Sequence, residues 1–249
     1  MERYAGIAVI LSIFLVGSPL ISCGERDLID IPVADLYDTA MAKMEGGDED
    51  EAREIFKHIQ ARSDRFTDEA AYRVGETYYR QKLYDDAYAE FSRLINRYPA
   101  SPWCDDAQYM MGMCRLDAAL AVDKDPTYIE EAADEFFTLI EEYEGSELVD
   151  DASGMINECR RRLAEKDLYV AKYYKKTRKY EAAIVYLEAM QEDYSDLDII
   201  PEVLYVEAEC YKKQDDIDNA RFIYEKLVKD YSDTAYGKKA AERLKEIGE

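Results

Sequence analysis

The 249-residue sequence predicts an all-α solenoid of about five helix pairs, with a long helix between pairs three and four and a C-terminal capping helix. Three observations predict it. Apolar residues recur at helical spacing with almost no strand alternation. A small residue followed by apolar residues at offsets of 4, 7, 8 and 11 returns along the chain, and those offsets trace one helix face. A second small residue stands twelve positions before most of these anchors, where two antiparallel helices can approach closely.

The first element precedes the repeats. Ala5 to Val16 is a short apolar stretch after a start whose only cationic side chain is Arg3. It suits a secretory signal and is too short for a transmembrane helix, which needs about 20 apolar residues. Leu20-Ile21-Ser22-Cys23 follows and resembles the lipobox of bacterial lipoproteins, in which the Cys is lipidated and heads the mature chain. A signal that merely contains a cysteine is the plainer alternative. The resemblance implies a signal peptide over 1–22, a lipidated tether over 23–33 and no cofactor beyond the covalent lipid on Cys23, palmitate included. Several acyl chains, at about 0.8 kcal/mol per buried CH₂, anchor a protein without a spanning helix. Gly24 after the Cys, by the same resemblance, directs it to the outer membrane, on the periplasmic face.

The repeats follow. Ala52 precedes Phe56 and Ile59, with Ala40 twelve residues before it. Ala87 precedes Phe91, Leu94, Ile95 and Tyr98, with Gly75 as its partner; Tyr98-Pro99 is a physical stop because Pro cannot continue a helix. Ala132 precedes Phe136, Leu139, Ile140 and Tyr143; its partner Gly112 stands twenty residues back because of the insertion containing Asp123-Lys124-Asp125-Pro126. Ala183 precedes Leu187, Met190 and Tyr194, with Ala171. Ala220 precedes Tyr224, Leu227, Val228 and Tyr231, with Ala208. Tyr78, Tyr174 and Tyr211 each lie three after a small residue. The pattern resembles the tetratricopeptide repeat.

Between the third and fourth anchors some seventeen extra residues show no breaker after Gly154, so Leu148 to Lys176 reads as one long helix. Gly145-Ser146 stops the helix before it and Arg178 starts the turn after it. Gly237 to Ile247 reads as a cap with Ala240, Leu244 and Ile247 turned inward. Repeats 1–3 are thereby assigned to 34–147, and the long helix, repeats 4–5 and the cap to 148–249.

Composition excludes several classes. A net charge of −23 argues against nucleic acid, whose binding rests on phosphate neutralisation. Many acids sit at helix starts, where the dipole favours them. Cys104 and Cys114 lie ten residues apart on one predicted helix, about 15 Å along its axis, too far to bridge. With Cys159 and Cys210 they are expected as buried free thiols. His58 is the only histidine and no CxxC occurs, which argues against a zinc site. No nucleophile–base pair, phosphate loop or paired-carboxylate pattern is present, so an enzyme is not expected.

The run Leu163-Ala164-Glu165-Lys166-Asp167-Leu168-Tyr169-Val170-Ala171-Lys172-Tyr173-Tyr174 is similar to the inter-repeat helix of BamD-type lipoproteins of the outer-membrane β-barrel assembly machinery. That family also carries a lipobox, five tetratricopeptide repeats and an Asp-rich insertion in the third. This chain departs from it in lacking Pro after Tyr143, Tyr194 and Tyr231, and in its acidity. The resemblance implies a scaffold that helps recognise unfolded outer-membrane proteins and docks them to the central assembly protein beside other assembly lipoproteins. A periplasmic repeat scaffold for cell-wall machinery is the alternative; a trimerising coiled coil, which would favour it, has no room between Cys23 and Pro32.

Two surfaces are candidates. Residues three before and one and four after each first-helix small residue share a face, and in tetratricopeptide arrays that face lines the groove. Tyr37, Met41, Tyr72, Tyr79, Tyr109 and Met113 then form a peptide groove, or else pack between helices. In repeats 4–5 the same positions bring Lys172, Lys175 and Lys212. The second surface is basic: Arg160, Arg161, Arg162, Lys172, Lys175, Lys176 and Lys179, with Lys166 and Arg178 among them. It reads either as the solvated end of a long helix, cations at the negative dipole end, or as a dock for an acidic partner surface.

Overall fold

The computed structural model describes residues 28–62, 65–121 and 126–248. Residues 1–22, Cys23 with the first part of its tether, and Asp123 to Asp125 of the insertion lie outside the described residues. Eleven helices and no strand occur among the described residues. The first three pairs are α1 (Val33–Glu45) with α2 (Glu49–Ala61), α3 (Thr67–Arg80) with α4 (Tyr84–Arg97), and α5 (Cys104–Ala121) with α6 (Thr127–Glu142). Then come α7 (Val149–Lys176) with α8 (Tyr180–Asp193), α9 (Ile200–Lys213) with α10 (Ile217–Asp230), and the cap α11 (Ala235–Gly248). Each helix packs on the one before it and the one after it, so the protein is an all-α tetratricopeptide solenoid.

The small anchors explain the close pairing. Ala40, Ala52, Ala87, Ala132, Ala171, Ala183, Ala208 and Ala220 are fully buried. Four residues after each second-helix anchor stand Phe56, Phe91, Phe136, Leu187 and Tyr224, also fully buried. In repeats 2 and 3 the opposing small residue is glycine, and a Cβ there would meet the ring of Phe91 at 2.6 Å from Gly75 and that of Phe136 at 2.7 Å from Gly112. The ring takes the volume that a methyl group would need.

Among the described residues, the turns inside repeats 1, 2, 4 and 5 share one device. Gly47, Lys82, Arg178 and Asp215 each stand two residues past the first helix of their pair with φ of 85°, 60°, 63° and 62°. Left-handed backbone ends these four helices and reverses the chain, and of the four only the first gives that position to the residue best suited to it. The expected stop at Gly145-Ser146 lies slightly late: α6 ends at Glu142, with Tyr143 at its C-cap.

Ser146 belongs instead to the junction with the next repeat. Its Oγ donates to Asp105 at 2.6 Å and accepts from the Leu148 N–H at 3.1 Å. Ser101 repeats the arrangement one unit earlier, donating to Asp68 at 2.7 Å and accepting from the Trp103 N–H at 3.2 Å.

The long helix α7 serves two units. Ala152 and Cys159 in its first half are buried in the core of repeat 3, whereas Ala164, Leu168 and Ala171 are buried against repeats 4 and 5. Cys104, Cys114, Cys159 and Cys210 are free and buried. Burial pushes the Cys114 thiol up to about 12 and those of Cys159 and Cys210 to about 11, which leaves them protonated and weakly nucleophilic.

Candidate functional site

The aromatic face lies along the seams between repeats. Tyr37 stacks on Phe66 at 5.3 Å and Tyr72 on Trp103 at 5.0 Å. Phe66 and Trp103 each stand immediately before the first helix of the following repeat. Tyr109 packs on Phe136 at 5.3 Å, in a cluster with Met113, Leu148 and Val149. Met41 packs against the first-repeat core. All six candidate groove residues are half-buried, while Met44 and Leu116 on the same rows are fully buried.

Two hydroxyls of this face are committed to carboxylates. Tyr37 donates to Glu69 at 2.5 Å and accepts from Arg73 Nε at 3.2 Å. Tyr79 donates to Asp117. Burial, and for Tyr37 and Tyr79 also the neighbouring carboxylate, drives the phenol pKa values of Tyr37, Tyr72 and Tyr79 upward. Arg73 lies across Trp103 at 5.1 Å and Tyr72 at 5.4 Å and pairs with Glu76 at 2.7 Å. With Tyr37 and Tyr79 hydroxyls engaged and cations paired, what this face offers outward is aromatic surface, suited to apolar side chains.

The basic cluster divides in two. Arg160 forks onto Asp196 at 2.6 and 2.7 Å and reaches the Asp193 carbonyl at 3.2 Å. Arg161 pairs with Glu158 and Glu165, Arg162 with Glu158 at 2.6 Å, and Lys172 with Glu202 at 2.5 Å. The two guanidiniums hold the Glu158 carboxyl below the usual carboxylate range. Arg160 and Lys172 thereby tie α7 to the elements that follow it, whereas Arg161 and Arg162 pair within α7. Lys175 and Lys176 make no ion pair with the described residues, and Lys179 lies 5.9 Å from the Tyr174 ring.

Beside those lysines the structure exposes aromatic and aliphatic residues that the helical pattern did not single out. Tyr169 is 70% exposed, Tyr173 56%, Val185 64% and Tyr186 40%. Tyr174 links them, 6.1 Å from Tyr173 and 5.5 Å from Tyr186. The signal was available: Tyr169 and Tyr173 are an i, i+4 pair off the Ala164–Leu168–Ala171 stripe. Among the described residues no His/Cys/Asp/Glu group is arranged to hold a metal ion.

Residues 29–222 match the family YfiO, described as outer membrane lipoprotein. An outer membrane protein assembly factor, BamD, of Caulobacter vibrioides is 24% identical over 182 residues, which cover 72% of this chain and 60% of that protein. The chain thus spans about three-fifths of that relative's length. Among solved structures, the TPR2AB domain of yeast Sti1 in its pHSP90 complex superposes with a TM-score of 0.49, at 11% identity over 86% of this chain and 82% of that one. A thermophilic tetratricopeptide protein of Thermus thermophilus gives 0.37 at 15% identity, over 87% and 98%.

Proposed function

Because the chain belongs to the YfiO family of outer membrane lipoproteins, we propose that it is a lipid-anchored periplasmic scaffold of the outer-membrane β-barrel assembly machinery. Its role is binding rather than catalysis: it helps recognise unfolded barrel proteins and docks them to the central assembly protein, beside other assembly lipoproteins. The observation that carries this reading is the span of the family match, residues 29–222, which takes in both the aromatic seams and α7. A lipid on Cys23 supplies the anchor, and no other cofactor is required.

Each surface has its own part. The seam aromatics Tyr37, Tyr72, Tyr79 and Tyr109 receive apolar and aromatic side chains of unfolded clients. The exposed Tyr169, Tyr173 and Tyr186, bordered by Lys175, Lys176 and Lys179, receive the central assembly protein through an acidic, partly apolar surface. Rings supply contact area and the unpaired lysines supply orientation.

Affinity purification of the lipidated protein from detergent-solubilised envelope tests the reading. A large outer-membrane barrel protein is expected to co-purify. Recovery of cell-wall enzymes in its place would assign the protein to the cell-wall machinery instead.

A further inference from the structure

The aromatic seams of the first three repeats also carry a recurring carboxylate. Tyr72 and Tyr109 stand three residues before Gly75 and Gly112. Three residues before each tyrosine stand Glu69 and Asp106, one turn away on the same helix face. Asp151 holds the matching place on α7; the fully buried Ala70, Ala107 and Ala152, each the next residue along, fix the register. Each carboxylate faces the tyrosine of the repeat before it. Glu69 accepts from Tyr37 at 2.5 Å. Burial and then the Asp106 charge push the Tyr72 phenol up, and burial and then Asp151 do the same to Tyr109. Asp106 thus lies between Tyr72 across the seam and Tyr109 on its own helix.

The three carboxylates differ in what answers them. Glu69 has the Tyr37 hydroxyl and, at 3.6 Å, Arg73. Half-buried Asp106 and exposed Asp151 make no hydrogen bond or ion pair with the described residues. Burial, and then Asp105 beside it, pushes the Asp106 carboxyl up even with Arg73 nearby. The cations of this face are already committed. Arg73 pairs with Glu76 at 2.7 Å; Arg80 reaches Glu76 at 3.7 Å and the Met44 carbonyl at 3.1 Å. Arg161 and Arg162 are held by Glu158, and Arg65 lies over Phe66 at 4.7 Å, by the first seam. The other charges on these rows are acids: Asp38 and Glu45, exposed on α1 without an ion pair, and Asp117, engaged by Tyr79. At the second and third seams the unanswered charge is therefore negative, and aromatic rings flank it.

We propose that this groove selects client segments in which a Lys or Arg stands on the same side as an aromatic residue, the cation being taken by Asp106 or Asp151 between the seam tyrosines. The proposal rests on the client-binding reading of the groove above and adds to it which clients are preferred. A carboxylate drawn partly out of water without a counter-charge is disfavoured in its charged form, and an arriving cation restores it through a charge-assisted hydrogen bond. Tyrosine faces add to the attraction when the cation comes within about 6 Å of a ring centroid. In an extended segment residues i and i+2 face one side, so a ring and a cation can enter the groove together. A net charge of −23 attracts any cationic peptide at long range; Asp106 and Asp151 differ in meeting it where the rings bind.

The test uses the full lipidated protein in detergent micelles and three fluorescent peptides of one aromatic pattern, with Lys, Ser or Glu at the same two positions. Fluorescence anisotropy should give the Lys peptide about tenfold tighter binding than the Ser peptide, as expected of two partly exposed ion pairs, with the Glu peptide weakest. Asp106→Asn with Asp151→Asn should bring the Lys-to-Ser ratio close to one. Asp86→Asn with Asp218→Asn removes the same total charge from exposed starts of α4 and α10 and should leave the ratio as it was. Denaturant melts confirm that each variant is folded. Equal binding of the Lys and Ser peptides, a ratio that survives in the Asp106/Asp151 variant, or an equal loss in the Asp86/Asp218 variant would overturn the selection and leave the aromatic groove standing. Failure of all three peptides to bind would overturn the groove, and the selection with it.

Discussion

Gly75 lies against the ring of Phe91 so closely that a Cβ at that position would stand 2.6 Å from a ring carbon. Gly112 and Phe136 repeat the contact one unit on, at 2.7 Å. Where the facing residue is Ala, as at Ala40 opposite Phe56, the pair is equally buried.

Gly75→Ala is therefore expected to destabilise the protein by about 1–3 kcal/mol through overpacking, despite the better helix propensity of Ala. Gly145→Ala is the comparison, because a Cβ there meets nothing within 4 Å. Denaturant melts of both variants check the expectation. An unshifted midpoint for Gly75→Ala would mean that Phe91 can turn aside.

Glu207 should make the junction of repeats 4 and 5 sensitive to pH. It is 5% exposed on α9 and accepts from Gln191 on α8 at 2.7 Å, with Glu188 of α8 and Lys226 of α10 as the charged groups facing it. Burial pushes its pKa up to about 7. The folded state then holds the proton more tightly than the unfolded chain does. Stability from this group is greatest below the ordinary carboxylate pKa, about 4.3. It falls as pH rises toward 7 and is level above, a loss of up to about 3 kcal/mol. Glu207→Gln should remove that slope and be the more stable form at pH 8. Melts of both proteins at pH 5 and pH 8 decide it: an identical pH dependence would show that Glu207 does not carry the effect.

Replacing Tyr72 and Tyr109 with Ala separates client binding from packing. Hot-spot aromatics typically cost about 2 kcal/mol or more each when truncated, without strict additivity. Because both rings also pack on neighbours, at 5.0 Å on Trp103 and 5.3 Å on Phe136, a stability loss is expected alongside. Fluorescence anisotropy with a peptide ending in an aromatic residue, run beside a denaturant melt, distinguishes the two. Unchanged affinity in a folded double variant would leave these tyrosines with packing alone.

On α7 the outcomes should be reversed. Tyr169→Ala with Tyr173→Ala removes exposed rings and should move stability by about 0.5 kcal/mol or less, yet abolish co-purification of the central assembly protein. Arg160→Ala loses its fork onto Asp196 and should cost up to about 1 kcal/mol of stability, the range of a surface pair, with co-purification retained. Loss of the partner in Arg160→Ala and retention in the tyrosine variant would move the dock to the N-terminal part of α7.

Much of this architecture was legible in the one-dimensional spacing of residues. Anchors such as Ala87 and Ala220, and the unbroken run that becomes α7, lie within single helices, where a fixed rise and turn convert sequence interval directly into direction. Burial of Cys104 and Cys210 follows from the same register. The two surfaces needed more. Arg160 reads as a free cation until Asp196, 36 residues on, comes beside it, and that Tyr37 stacks on Phe66 of the next connection is invisible in its spacing. Tyr169 and Tyr173 share a helix with the buried Leu168, and only the tertiary structure decides that one side of α7 is covered there and the other bare. Periodicity names the face a side chain takes; whether another helix covers that face, and which charges it brings, is settled by how successive repeats stack.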